Sequence, residues 1–186
     1  MGQIVSNFAS NNLTLCVDKE EDAKKDKELA KKHPSGTFPY LELMSGEIIS
    51  EQSAIATHLA RMTPSAGLMG ANAFQEAQVN QWIAWADFLR GSVADVTNAI
   101  HGNEKKVNMD KYNASVKRIK DQVRDLNNHL NGKQWIAGAA PTTADIVCGS
   151  VLASAFQLVL DAGFRKGHAN VGAWFDRFVA LAQVVK

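Results

Sequence analysis

In the stretch Trp135–Ser150, WIAGAAPTTADIVCGS, a single carboxylate, Asp145, heads a run, IVCGSVLASAFQLVL, that is apolar almost all the way round. Such a group could act as an acid or base, ligate a metal, or hold a helix end. The spacing Thr142-x-x-Asp145 favours the third. In a capping box the Thr142 hydroxyl accepts from the Asp145 amide, and the carboxylate reaches back to the Thr142 amide. Pro141 and Ile146 flank the box as the two ends of a hydrophobic staple. A helix that is apolar all round is a buried one. Its first amides would each cost about 1–3 kcal/mol if left unpaired. Asp145 is therefore expected to serve the backbone, and to stay ionised, because hydrogen bonds to the charged form lower a carboxylate pKa. No second carboxylate or histidine lies near it in sequence to complete a dyad or a metal site.

Other reactive side chains are scattered. Ser6 and Ser10 are the hydroxyls near the N-terminus that could serve a nucleophilic or anion-stabilising role; each is equally a loop serine. Cys16 and Cys148 lack CxxC spacing and read as small buried hydrophobes of a reducing compartment. His33, His101, His129 and His168 fall near helix ends without metal-ligand spacing, and His58 reads as a packed helix residue. Trp82, Trp85, Trp135 and Trp174 could stack on a base or cofactor, but their helical register and apolar neighbours favour core packing. Arg177 stands among Trp174, Phe175 and Phe178, where it could stack across a two-fold axis or pair with Asp176 or solvent. The opening MGQIVS matches the N-myristoylation pattern through Gly2 and Ser6. A buried strand at Ile4 and Val5 would leave Gly2 little freedom to carry a lipid.

The elements that position these groups follow from periodicity. Leu13–Val17 reads as a strand and Asp18–Lys32 as a surface helix, acidic at its head and lysine-rich at its end. Phe38–Leu43 and Glu47–Ile49 form a hairpin with Ser45-Gly46 at the turn; Pro39 must lie at an edge, because it cannot donate to a ladder. A helix from Gln52 to about Met62 turns Ile55, Leu59 and Met62 to one face, and Thr63–Gly67 is the linker. Beyond it the pattern is helical: Ala71 to about His101, with Phe74, Val79, Trp82, Ile83, Trp85, Ala86 and Leu89 on a broad apolar face; Asp110–Leu130; Thr142–Leu160; and Ala169–Val184. The architecture expected is an α+β/α protein of two domains, a reduced α/β N-terminal lobe over 1–64 and an all-α C-terminal bundle over 68–186.

The bulk numbers agree with an ordinary folded protein: 186 residues, 46% apolar and 21% charged. A net charge of +1, from 20 basic and 19 acidic residues, gives no support to bulk electrostatic binding of nucleic acid or anionic membrane. No apolar run approaches the ~20 residues of a membrane span, and no secretory leader is read at the start.

Three segments together carry a resemblance. Gly138–Ile146, GAAPTTADI, resembles the capping-box and staple signature of the glutathione S-transferase fold. Thr37–Glu42, TFPYLE, resembles the strand that carries that fold's cis-proline, and Glu51–Ile55, EQSAI, followed by Leu59-Ala60, resembles the helix that contacts glutathione. Finer features are similar to the gamma-subunit family of eukaryotic translation elongation factor 1B: Lys32–Pro39, KHPSGTFP; Gln78–Trp82 with Ala86-Asp87; and Ala162–Arg165 through Asn170-Val171 to Trp174-Phe175.

The resemblance implies a thioredoxin-like N-terminal lobe and a helical C-terminal domain. It implies a vestigial glutathione site at Phe38, Pro39, Glu51, Gln52 and Ser53, with Gln52 where the family has a serine. It implies a cytoplasmic, non-catalytic scaffold that anchors the nucleotide-exchange subunit of elongation factor 1B, with an aminoacyl-tRNA synthetase as a further partner. The alternatives it leaves are a glutathione-dependent transferase and an interaction domain of a tRNA synthetase complex. It implies a homo- or heterodimer through flat helical faces, with the region from Met62 to Trp85, Trp82 in it, and Arg177 as candidate contacts. No metal and no obligatory cofactor is implied beyond glutathione, and the chain reads as a domain of a longer protein. The N-terminus departs from the family, since only seven residues separate Val5 from Leu13. Either the first helix is missing or reduced to a turn around Phe8-Ala9-Ser10, or the first strand lies elsewhere than Ile4-Val5.

Overall fold

The computed structural model describes residues 27–33, 36–102 and 106–181, together with Val5, Asn7 and Val184. The chain divides into two compact units, Met1–Ala66 and Gly67–Lys186. The expected strand Leu13–Val17 and the residues Gly2, Ser6, Ser10 and Cys16 lie outside the described residues.

In the first unit, helix α1 (Lys27–Lys32) is the end of the lysine-rich segment. Strands β1 (Tyr40–Glu42) and β2 (Ile48–Ser50) pair antiparallel, Leu41 opposite Ile49. Gly46, at φ 85°, closes the hairpin by donating its amide to the Leu43 carbonyl at 2.8 Å. β1 begins two residues later than the apolar pattern indicated, after Pro39, which has no N–H to donate to the ladder. Helix α2 (Gln52–Arg61) buries Ile55, Ala56, Leu59 and Ala60.

Two expectations for this unit are corrected. Met62, placed on the inward face of α2, is the residue after the helix and is 58% exposed; Pro64 disfavours helical backbone at Thr63 and so ends the periodicity early. Val5 and Asn7 are helical, with Val5 fully buried, so the first strand does not lie at Val5, in keeping with the alternative that places it elsewhere; Phe8, Ala9 and Ser10 lie outside the described residues. The pair Ile4-Val5 is too short to reveal a period.

The second unit is built on α3 (Ala73–Ile100), α4 (Met109–His129), α5 (Thr143–Leu158), α6 (Ala162–Gly167) and α7 (Ala169–Val179). Side-chain caps start three of them: Asn72 accepts from the Gln75 amide, Asn108 from that of Lys111 and Asp161 from that of Phe164. α5, buried over most of its length, packs against α3 and α7. Gly149 lets α7 approach closely: a Cβ there would stand 2.4 Å from a ring carbon of Phe178. Asn127 of α4 holds the first turn of α7, its Oδ1 accepting from the amides of Asn170 (3.1 Å) and Val171 (3.2 Å). Asp95 ties α3 to α4 through Lys111 (2.8 Å) and Ser115 (3.1 Å). The Lys111 contact holds the Asp95 carboxyl below the usual range.

The long helix α3 is inward on Val79, Trp82, Ile83, Ala86, Leu89, Val93 and Val96. Phe74, expected on that face, is 72% exposed, and Trp85 is half-buried. The inward stripe is narrower than the apolar pattern. The last helix ends at Val179, not Val184, and α6 is a separate short helix in what reads as a connecting segment. Among the described residues no helix is long and apolar enough to cross a membrane.

Candidate functional site

Asp145 is wholly buried and both its oxygens are occupied. Oδ1 accepts from the Ile136 amide at 2.9 Å and from the Trp174 indole at 2.8 Å. Oδ2 accepts from the Thr142 amide at 2.9 Å and from its hydroxyl at 3.0 Å. The capping box with Thr142 is formed, and Ile146, behind it, is fully buried. The carboxylate therefore joins three parts of the unit: the start of α5, the loop at Ile136 and the indole of α7. With no exposed surface and four donors on it, it has no free lone pair with which to take a substrate proton.

The expectation that hydrogen bonds would lower its pKa is corrected. Burial is the largest influence and pushes the carboxyl up from its ordinary value, against the pull of the Thr142 and Ile136 amides, the Trp174 indole and the Thr142 hydroxyl. Cys148, one turn on, is fully buried, and its thiol donates to the Trp82 carbonyl at 3.4 Å. Burial, then the charges of Asp145 and Asp87, push that thiol well above its usual range, so it is an inert core residue.

The second constellation lies in the first unit. The Phe38–Pro39 peptide is cis, and both residues are exposed, Phe38 by 38%. Phe38 packs edge-on to Tyr40 with ring centroids 5.5 Å apart. The loop that leads in is braced by His33, which is buried and whose Nε2 meets the Thr37 carbonyl at 2.8 Å. That brace did not stand out in the sequence, where His33 reads only as a helix-end histidine before Pro34. Glu51 precedes α2 with φ 69° and ψ 123°, and it is the one non-glycine residue at positive φ among those described. Its carbonyl accepts the first helical bond, from Ile55, and its side chain makes no cap hydrogen bond. Gln52 and Ser53, both half-buried, follow at the head of the helix. The N-terminus of α2 and the polar side chains of Glu51, Gln52 and Ser53 thus share one short segment, and Tyr40, the residue after the cis-proline, pairs with Ser50 just before it; a helix N-terminus is chemically suited to a carboxylate-bearing ligand. Among the described residues no three His, Cys, Asp or Glu side chains gather as metal ligands would.

The candidate contact residues fall differently from expectation. Trp82 is 7% exposed, its ring 5.3 Å from Trp85 and 4.4 Å from His129. It is core, and the surface of α3 belongs to Phe74 and Phe88 instead, 72% and 62% exposed. Arg177 is half-buried and donates through Nη2 to the Gln134 carbonyl at 3.1 Å, a link inside its own unit. His58 of α2 is half-buried.

A cis-proline turn beside a helix N-terminus in one unit, and a helix-capping aspartate under an all-helical core in the other, define a glutathione S-transferase-like protein. The family profile described as "Glutathione S-transferase, C-terminal domain" matches residues 83–182. The glutathione S-transferase-like protein LUC7 of a Fusarium species is 31% identical over 166 residues, 86% of this chain and 74% of that protein. The glutathione S-transferase from Xylella fastidiosa has the same fold, with a TM-score of 0.83 at 18% identity, covering 99% of this chain and 89% of the other. The chain belongs to the glutathione S-transferase family. Within it the chain is related to elongation factor 1-gamma: that of Drosophila melanogaster is 32% identical over 166 residues, 88% of this chain and 37% of the relative's length. The chain thus spans little more than a third of that relative, and fungal glutathione S-transferase-like proteins are as similar to it as the elongation factor is.

Proposed function

We propose that this chain is a protein-interaction module of the translation elongation factor 1B complex, holding the nucleotide-exchange subunit and, as a further partner, an aminoacyl-tRNA synthetase, in the cytoplasm. The observation that carries this reading is the relation to elongation factor 1-gamma, 32% identical along 88% of the chain. Large apolar side chains left in solvent where α3 and α4 meet, Ile100 at 45% and Met109 at 56%, agree with a surface made to be covered. The test is to mix the purified chain with the exchange subunit and follow the mixture by gel filtration with light scattering. A joint peak is expected. Separate elution with each at about 10 μM would remove this reading.

A second reading, glutathione binding with or without transfer, is favoured by Glu51. A non-glycine residue at φ 69° is a strained conformation of the kind that clusters at ligand sites, and here it adjoins Gln52 and Ser53. Calorimetric titration with glutathione tests it: saturable heat that Glu51→Ala weakens supports this reading. Turnover of a chromogenic electrophile that vanishes on Ser6→Ala or Ser10→Ala would extend it to catalysis.

A further inference from the structure

We propose that the turn Asn131-Gly132, just beyond the C-terminal end of α4, is a site of self-modification: the asparagine closes on the following amide, loses ammonia and reopens as aspartate and isoaspartate. Asn131 is the one asparagine in the chain followed by glycine. Leu130 caps α4, and the chain turns at once. The Asn131 amide donates to the Asn128 carbonyl at 3.2 Å, and the Lys133 amide to the Leu130 carbonyl at 3.0 Å. Gly132, between them, takes the left-handed conformation, φ 70°, that commonly follows a helix.

This geometry leaves both reacting groups open. Asn131 and Gly132 are exposed. Among the described residues neither the Asn131 side chain nor the Gly132 amide has a hydrogen-bond partner. Beyond its chain neighbours, no atom lies within 4 Å of where a Cβ on Gly132 would stand, and glycine has no side chain of its own to hinder the attack. Other asparagines are held. Asn72, Asn108 and Asn127 accept helix-end amides through Oδ1. Asn113 and Asn128 lie inside α4, where the next residue's amide is bound in the helix.

The reaction balances with water alone. The Gly132 amide gives its proton to hydroxide, and its nitrogen attacks Cγ of Asn131. The Cγ–Nδ2 bond breaks, and Nδ2 leaves as ammonia with a proton from water. The resulting succinimide takes up one water. Cleavage between the ring nitrogen and Cγ gives aspartate. Cleavage between that nitrogen and the main-chain carbonyl carbon gives isoaspartate, whose chain runs through Cβ and Cγ. Nothing is oxidised or reduced.

The product strains a joint of the helical unit. Its carboxylate stands at the negative end of α4, where the helix dipole repels it. Isoaspartate also lengthens the main chain between α4 and Ile136. Ile136 is fixed at both its polar groups: its carbonyl accepts from Nε2 of His129, the last residue of α4, at 2.7 Å, and its amide donates to Asp145 at 2.9 Å. The modification therefore loosens the loop that delivers one of the donors on Asp145, whichever partner or ligand the chain takes.

The experiment is incubation of the purified full chain at physiological temperature and pH, followed by isoelectric focusing and mass spectrometry of the tryptic peptide 125–133. Conversion adds about one mass unit to the peptide, and it takes the formal net charge of the chain from +1 to zero. Asn131 is expected to convert at least about tenfold faster than any other asparagine, and no more than about tenfold slower than in the urea-unfolded chain, because nothing hinders the glycine amide. Asn131→Gln, at an exposed position, is expected to keep the native circular dichroism and to lose the acidic species, since its longer side chain must close a larger ring. In the acidic fraction, amide exchange at Ile136 is expected to be at least about tenfold faster than in the fresh chain. An Asn131 that converts no faster than the other asparagines overturns the proposal. So does a folded chain that protects Asn131 by more than about tenfold against the unfolded one. So do an acidic species that persists in Asn131→Gln and unchanged exchange at Ile136 in the acidic fraction.

Discussion

Asp145 is the residue on which the helical unit turns, and its role is architectural. Its carboxylate gathers two amides, a hydroxyl and an indole from three places in the chain. Asp145→Ala would leave those donors buried without an acceptor, at a cost of about 3 kcal/mol or more, readable as a lower denaturant midpoint in chemical unfolding. The pH dependence has a definite sign. A carboxyl raised in the folded state binds more protons folded than unfolded over the window that opens at the ordinary value of 3.8 and closes at the raised one. Its contribution to stability is therefore full below that window and is lost as pH rises through it. The unfolding free energy of the native chain, measured relative to Asp145→Asn, should fall as pH rises across the window. Asp95, Asp121 and Asp161, held low by Lys111, Lys117 and the Phe164 amide, run the other way but are common to both proteins and cancel. A rising difference would contradict the assignment of burial as the dominant influence. The Thr142–Asp145 half of this arrangement was legible because the partners of a capping box stand only three positions apart. The Trp174 and Ile136 halves were not, because they are 29 and nine residues away and meet Asp145 only in the folded chain.

At the scale of elements, the long helices could be read from apolar spacing: α3, α4 and α5 lie within two residues of their sequence boundaries. The short ones could not be, since α6 has six residues and each described strand three, too few to show a period. Nor does spacing tell which edge of a broad apolar face stays in water; Phe74 and Met62 were placed inward and are not, and Trp82 was offered as a contact and is core. Two joints between helices can be tested singly. Gly149→Ala drives a methyl into the Phe178 ring of α7, which is buried at 3% exposure and has little room to yield. It should lower unfolding free energy by about 1–3 kcal/mol. Asn127→Ala removes the outside cap of α7 and should cost about 1–2 kcal/mol. Amide exchange at Asn170 and Val171 would speed up most. Unchanged protection there would show that the α4–α7 joint does not depend on that side chain.

At the scale of the whole molecule, sequence and structure agree on family and divide on use. The three motif segments that resemble the glutathione S-transferase fold lie in both units, which is why the family was readable from a single chain. The N-terminal corner was not, because Ile4-Val5 offers two apolar residues and no spacing, and Val5 proves helical. What the chain binds is decided by surfaces, and exposed side chains such as Ile100 and Met109 carry no periodic signal that names a partner. The most direct test of the interaction reading is an equilibrium titration of the purified exchange subunit, fluorescently labelled, with this chain, in the presence and absence of millimolar glutathione. Saturable binding that glutathione leaves unchanged is the predicted result. No binding, together with glutathione-dependent turnover of an electrophile by the same preparation, would contradict it.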